Sequence, residues 1–74
     1  MEDKLKQILA DILNLDMSLI NNNTSHANVN EWDSLNQINI VLALEEEFGL
    51  EFNEDDIAKL TDFKSIKEVI EKKN

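Results

Sequence analysis

The chain has 74 residues, no cysteine, no proline and one glycine, and its formal net charge is −9. A chain this short buries only about 60% of its unfolded surface, so it forms one modest core with little room for a deep catalytic cleft. The absence of cysteine excludes disulfides and thiolate metal sites, and the negative charge disfavours binding to nucleic acid and to anionic membranes.

Carboxylates and lysines are segregated along the sequence. Between Gln7 and Ala58 there are eleven carboxylates and no Lys or Arg, and all seven cations are lysines outside this segment. Such a distribution steers basic protein surfaces toward the acidic part, although an acidic surface also simply keeps a small protein soluble. No apolar run approaches the roughly 18 residues of a membrane span. We therefore expect a single soluble, cytoplasmic, monomeric domain over residues 1–74, with no metal site and no membrane insertion.

The first predicted element is an amphipathic helix from about Glu2 to Asn14. Its apolar residues recur at the spacing of one helix face. They are Leu5, Ile8, Leu9, Ile12 and Leu13. From Leu15 to Asp33 this period is lost and the sequence becomes rich in asparagine, which predicts a long loop. Loops of this length usually belong to a functional region or conceal a turn of helix, here near Met17 to Ile20.

Helical periodicity returns at Ser34 and continues to Phe48, where Gly49 supplies the left-handed residue that commonly ends a helix. Ser34 fits the N-cap of this helix, with Gln37 as its partner in a capping box. The same position also suits a phosphodiester, because the free N–H groups and the positive end of the helix dipole stabilise an anion. From the residues alone, Ser34 is either a cap or an attachment point.

This second helix carries two apolar stripes, which one neighbouring helix cannot cover. The first stripe suits the core and contains Ile40, Val41, Leu44 and Phe48. The second points elsewhere and contains Leu35, Ile38 and Leu42. Either it packs against another neighbour, for which Ile38 is the best candidate, or it is an exposed docking surface rimmed by carboxylates. We favour the docking surface, because an apolar strip with an acidic rim suits transient binding to a basic partner.

Two further helices complete the predicted fold. Asn53 suits the N-cap of a short helix that ends near Leu60, with acidic residues in its first turn. Asp62 suits the N-cap of a last helix. The inward residues of that helix are Phe63, Ile66, Val69 and Ile70. The sequence therefore predicts an all-α four-helix bundle of three main helices plus one short helix, with a long loop between helices one and two.

The run Glu31-Trp32-Asp33-Ser34-Leu35, followed by a helix that ends in Leu44-Glu45-Glu46-Glu47-Phe48-Gly49, resembles the acyl carrier protein family. The Asp-Ser-Leu triplet alone is weakly specific, but the order of helices extends the resemblance over nearly the whole chain. The resemblance implies a four-helix bundle whose Ser34 is esterified by 4′-phosphopantetheine, transferred from coenzyme A by a phosphopantetheinyl transferase. The thiol of this arm would carry an acyl or aminoacyl group as a thioester, so the chain would be a carrier and not an enzyme.

The resemblance also assigns roles to single positions. The attachment motif is matched by Asp33, Ser34 and Leu35. The surface that meets basic patches of loading and transfer enzymes would comprise Ile38, Asn39, Leu42, Glu45 and Glu46. A bound acyl chain would lie between helices two and three, near Leu44, Ile57 and Leu60.

Three positions depart from the pattern of carriers in primary fatty acid biosynthesis. Asn36 and Asn39 stand where those carriers often have acids, and Trp32 stands where they usually have a small residue. The face near Ser34 is therefore less charged. These departures favour a specialised carrier that serves a dedicated pathway.

An unmodified helical adaptor is the main alternative function. It would bind a basic partner through Leu35, Ile38 and Leu42, and Ser34 would be only a cap. An enzyme with a triad of His26, Asp33 and Ser34 is disfavoured, because no glycine-flanked nucleophile turn precedes Ser34. A cation site is disfavoured too, because the acidic spacing near the third helix does not match a calcium loop. Its residues would be Glu51, Glu54, Asp55 and Asp56.

Overall fold

Helices make up most of this computed structural model, which describes residues 1–73. They are α1 (Glu2–Leu13), a short 3-10 turn (Met17–Leu19), α2 (Ser34–Phe48), α3 (Glu54–Lys59) and α4 (Phe63–Lys73). Within the described residues there is no strand, and an isolated bridge joins Ser25 to Asp62. The predicted all-α bundle of three main helices and one short helix is confirmed.

The ends of the helices follow from local backbone chemistry. α2 ends at Gly49, whose φ of 63° lies in the left-handed region, as predicted. α3 begins with a reciprocal capping box between Asn53 and Asp56. At the start of α4, the Asp62 carboxylate accepts a hydrogen bond from the Ser65 N–H at 2.6 Å. Caps and periodicity therefore predicted the helix bounds to within about one residue, the usual uncertainty of such bounds.

The core lies where the apolar stripes of α1, α2 and α4 meet. Its fully buried side chains come from all three helices and from two connecting segments, and they are Leu5, Leu9, Leu13, Ile20, Ile40, Leu44, Leu60, Phe63, Ile66 and Ile70. Val41 and Val69 are also buried, whereas Phe48 packs against the core from a half-buried position. Because burial of apolar surface contributes about 25 cal/mol per Å², this shared core is the main stabilising contact of the fold.

The long loop before α2 is fastened to the bundle. Its predicted turn is present as the 3-10 turn that begins at Met17. Farther along, the Phe63 N–H donates to the Thr24 carbonyl at 2.9 Å, and the His26 N–H donates to the Thr61 carbonyl at 3.1 Å. These two backbone hydrogen bonds hold the middle of the loop against the junction of α3 and α4.

Two ion pairs join α4 to other elements. The Lys67 ammonium lies 3.0 Å from a Glu2 carboxylate oxygen, and the Lys73 ammonium lies 2.8 Å from an Asp56 oxygen. Hydrogen bonds from Lys67 and Lys73 hold the pKa values of Glu2 and Asp56, respectively, below their ordinary values. The Glu2 carboxylate is about half exposed, so solvent screens its pair with Lys67, whereas the Asp56 carboxylate is mostly covered.

We expect the free energy of unfolding to fall as the solution is acidified through the carboxyl range. A carboxyl group with a lower pKa in the folded state binds fewer protons there than in the unfolded state, so its stabilisation is present at higher pH and is lost as pH falls through the folded pKa. The double variant Glu2→Gln, Asp56→Asn lacks both groups. Urea unfolding between about pH 5 and pH 3 should therefore show a shallower decline in the variant than in the wild type. If the free energy of unfolding declined equally steeply in both proteins, these two ion pairs would not be the cause of the decline.

Candidate functional site

Ser34 is the first residue of α2, and its side chain is exposed. The residue before it, Asp33, has an extended backbone, and its carboxylate accepts a hydrogen bond from the Asn36 N–H at 2.8 Å. Asp33 is therefore the N-cap, and the prediction that Ser34 caps the helix in a box with Gln37 is wrong. The residue with the extended backbone is Asp33, one position before Ser34. Its side chain reaches forward to the backbone N–H of Asn36, the third residue of the helix.

The start of α2 also presents backbone donors around Ser34. The Asn36 N–H is bound by the cap, and the Gln37 N–H donates to the Asp33 carbonyl at 2.8 Å. The N–H groups of Ser34 and Leu35 lie ahead of these bonds, at the positive end of the helix dipole. Such donors favour a negative charge at the start of the helix, so the residues present fit a phosphodiester attached to Ser34.

A groove with a volume of about 550 Å³ opens beside Ser34. Its walls come from the start of α2, from α3 and from the two connecting segments. The lining residues are His26, Trp32, Asp33, Ser34, Gln37, Ile57, Ala58 and Thr61. This volume is within the range of small-molecule sites, and the lining mixes apolar with hydrogen-bonding side chains. A group tethered to Ser34 can therefore rest in the groove.

Two hydrogen bonds join Trp32 and Gln37, which both line this groove, to each other and to Leu60. Trp32 is 3% exposed, and its indole N–H donates to the Gln37 side-chain oxygen at 2.6 Å. The Gln37 side-chain nitrogen in turn donates to the Leu60 carbonyl at 2.9 Å. We call these two bonds the Trp32–Gln37–Leu60 strap. It ties the loop, α2 and the end of α3 together at the attachment point.

The three residues assigned to an acyl-chain pocket lie at different depths. Leu44 and Leu60 are 0% exposed and belong to the closed core, and neither lines the groove. Ile57 does line it, and its side chain is partly exposed. The structure thus brings Ile57 to the same groove as Ser34 and leaves Leu44 and Leu60 in the core.

The second apolar stripe of α2 is exposed to solvent. Leu35 is 68% exposed, and Ile38 and Leu42 are each 57% exposed, so the interpretation that Ile38 packs against another neighbour is wrong. We call these three residues the docking strip. Asn39 and Glu46 are exposed on the same helix.

Glu45 differs from its neighbour Glu46. It is half-buried, and its carboxylate accepts a hydrogen bond from the Phe52 N–H at 2.9 Å. This bond fastens the segment after α2 to the helix. Glu45 therefore has a structural contact in addition to any role at a docking surface.

The three residues of the disfavoured triad, His26, Asp33 and Ser34, do line one groove. The observed contact of the Asp33 carboxylate, however, is the cap of α2, and no hydrogen bond links the three side chains in the described part of the chain. Over residues 1–73, moreover, no group of three or more His, Asp or Glu side chains is arranged to hold a metal ion. No helix in the same range has the length and hydropathy to cross a membrane.

Known protein sequences resemble this chain over most of its length. The sequence profile described as phosphopantetheine attachment site matches residues 3–71. An acyl carrier protein of Buchnera aphidicola subsp. Schizaphis graminum (strain Sg) is 36% identical over 73 residues, which cover 99% of this chain and 92% of that protein. An acyl carrier protein of Chlamydia felis (strain Fe/C-56) is 38% identical over 60 residues, which cover 81% of this chain and 77% of that protein.

Proposed function

The chain belongs to the acyl carrier protein family, and on that premise we propose that Ser34 bears its covalent 4′-phosphopantetheine arm. The chain is a carrier, not an enzyme: it holds acyl groups as thioesters and presents them to partner enzymes. When bound, the arm supplies the thiol that forms the thioester. The residues of the chain position the arm and offer a surface to partners.

The observation that supports Ser34 is its exposed side chain at a helix start that another residue caps. Asp33 satisfies the helix end, so esterification of Ser34 removes no bond that α2 needs. The neighbouring N–H groups of Ser34 and Leu35 stabilise the negative charge of the phosphodiester. Leu35 is exposed beside the attachment point, where an enzyme that delivers the arm can contact it.

Mass spectrometry tests this assignment directly. Incubation with coenzyme A and a phosphopantetheinyl transferase should add one arm to the intact protein, and fragmentation should locate it on Ser34. If several transferases added no mass, the unmodified adaptor that binds a basic partner through the docking strip would be the better function. An arm found on a different serine would show that Ser34 is not the attachment site.

We also propose that the partner enzymes dock on α2 through basic surfaces. Three exposed apolar side chains form the strip, and the exposed Glu46 lies on the same helix. A small apolar contact combined with charge attraction gives fast association and short residence. A carrier that visits several enzymes in turn needs this combination.

Glu46→Lys should slow loading by the transferase several-fold at low ionic strength and should make the rate less dependent on salt. The free energy of unfolding should change by less than about 0.5 kcal/mol, because Glu46 is exposed. Loading rates measured across a salt series test this. Glu71→Lys is the matched control, since it makes the same change in net charge at an exposed position on α4. Equal slowing by both variants would mean that net charge, and not the docking surface, controls the rate.

A dedicated pathway fits the chemistry beside Ser34. The Asn36 side chain donates to the Glu31 carbonyl at 2.7 Å, and the Asn39 side chain donates to Asn36 at 3.1 Å. This pair presents a neutral, hydrogen-bonded surface where acids would strengthen attraction to basic partners. We propose that the chain, as one monomeric carrier domain over residues 1–74, loads a short acyl or aminoacyl group for such a pathway. Light scattering of the loaded protein tests the monomeric state.

A further inference from the structure

We propose that Trp32, Asn36 and Gln37 are positioning residues for the loading reaction. They fix the backbone on both sides of Ser34, so that its hydroxyl reaches the phosphopantetheinyl transferase already held in place. None of the three reacts, and each acts through the residue that it holds. Since the attachment of the arm to Ser34 is itself a proposal, this role rests on it.

The residues on either side of Ser34 are bonded to each other across it. Four hydrogen bonds, 2.6 to 2.8 Å long, join the three residues before Ser34 to the second and third residues after it. They run from the Asn36 side chain to the Glu31 carbonyl, from the Trp32 indole N–H to the Gln37 side chain, from the Asn36 N–H to the Asp33 carboxylate, and from the Gln37 N–H to the Asp33 carbonyl. We call these four bonds the clasp.

The clasp is anchored to the core, whereas the residues inside it are exposed. Trp32 is 3% exposed, and the Gln37 side chain donates to the carbonyl of the completely buried Leu60. Ser34 and Leu35, by contrast, are both exposed. The clasp therefore presents these two residues to solvent from a fixed frame.

The chemistry of loading depends on how the attacking oxygen is held. The Ser34 oxygen forms a bond to the phosphorus of coenzyme A that carries pantetheine. The bond from that phosphorus to the bridging oxygen breaks, adenosine 3′,5′-bisphosphate leaves with that oxygen, and the hydroxyl proton passes to solvent. Orientation supplied in advance lowers the barrier to such a step, and the clasp supplies it on the side of the carrier.

Asn36 separates positioning from charge attraction. A carboxylate at this position would accept hydrogen bonds but could not donate one, so Asn36→Asp loses the bond to the Glu31 carbonyl. The same change adds a negative charge to α2, which strengthens attraction to a basic partner. Positioning and attraction thus predict opposite effects of one nearly isosteric substitution.

Steady-state loading with coenzyme A and a transferase tests the proposal on Asn36→Asp and Asn36→Ala. The carrier is the substrate of this reaction, so partial unfolding lowers the concentration of competent substrate and raises the apparent KM. Misplacement of Ser34 instead lowers kcat. In both variants kcat should fall about three- to ten-fold, the factor expected for one lost hydrogen bond of ordinary strength. KM should stay at the wild-type value in Asn36→Ala and should not rise in Asn36→Asp.

Asn39→Asp is the matched control. It makes the same chemical change and adds the same charge at an exposed position of α2, and it leaves the four bonds of the clasp intact. Its kcat should equal that of the wild type. Wild-type kcat in the Asn36 variants, or a rise of KM alone, would overturn the positioning role of Asn36.

Trp32→Phe tests the other side-chain bond of the clasp. It removes the indole donor to Gln37 and keeps an aromatic ring at a buried position. We expect kcat to fall here as well, while any loss of stability from the smaller ring appears in KM. An unchanged kcat would overturn the roles of Trp32 and Gln37.

Failure of the attachment proposal gives a different result. If the wild-type protein gained no mass with any transferase, Ser34 would not be the attachment site and the clasp would have no loading reaction to serve. If all the proteins gained one arm on Ser34 at the same kcat, the attachment site would stand and the positioning role would be refuted.

Discussion

Replacing Ser34 by alanine should abolish loading of the phosphopantetheine arm and change the free energy of unfolding by less than about 0.5 kcal/mol. The oxygen that forms the ester is lost, so no partial activity is expected. The fold should tolerate the change, because Asp33 caps α2 and the Ser34 side chain is exposed. Intact mass after incubation with transferase measures the first effect, and urea unfolding measures the second.

Asp33→Ala is the complementary variant. It keeps the Ser34 hydroxyl but removes the cap of α2, which should cost about 0.5–2 kcal/mol. Ser18→Ala, at an exposed serine of the 3-10 turn, should load normally and serves as the control for losing a hydroxyl. If Ser34→Ala were the destabilising variant of the two, the assignment of the cap to Asp33 would be wrong. An arm on the Ser34→Ala protein would reject the attachment site.

Leu44→Ala should destabilise the chain by about 2–5 kcal/mol, because it opens a cavity at a completely buried position of α2. This is a large share of the roughly 5–15 kcal/mol that holds a typical domain together. Leu42→Ala, two residues earlier on the same helix, should leave stability nearly unchanged, since Leu42 is exposed. It should nevertheless slow loading by removing apolar contact with the transferase.

This pair of variants removes the same atoms from two faces of one helix. Urea unfolding and loading rates, measured on both proteins under conditions in which each is folded, separate the two roles. A loss of stability in Leu42→Ala as large as in Leu44→Ala would show that the docking strip is buried in solution. Normal loading of Leu42→Ala at every ionic strength would remove Leu42 from the docking surface.

Periodicity and capping chemistry were sufficient to predict the helices from the sequence. They did not identify the residue that caps α2, because Asp and Ser are similarly good N-caps and stand next to each other. The choice depends on which of the two has the extended backbone. That one-residue difference decides whether Ser34 has a structural role or is available for modification.

The groove was harder to predict, because its residues meet through contacts between distant parts of the chain. Gln37 looked like a capping partner, but its side chain bonds to Trp32 and to the Leu60 carbonyl. The signal for this was Trp32 itself, since a buried indole N–H needs an acceptor. His26 reaches the groove because its backbone N–H donates to the Thr61 carbonyl. No local sequence pattern predicts this contact.

For the exposed stripe of α2, the sequence predicted the direction of the side chains but not whether another element covers them. Its direction on the helix was readable from the spacing of Leu35, Ile38 and Leu42. Whether another element covered it was not readable, because that depends on where the neighbouring helices pack. The structure resolves the question by leaving all three side chains in solvent.

The short helix α3 is poorly buried and also lines the groove, and together these two features determine how easily the groove changes shape. None of the side chains in Glu54–Lys59 is fully buried, yet this six-residue helix provides one wall of the groove. Segments with few buried contacts open at a small fraction of the global free energy of unfolding. The wall can therefore yield outward while Leu60, at the end of α3, stays fixed in the core. The groove beside Ser34 is thus able to widen through movement of α3 alone.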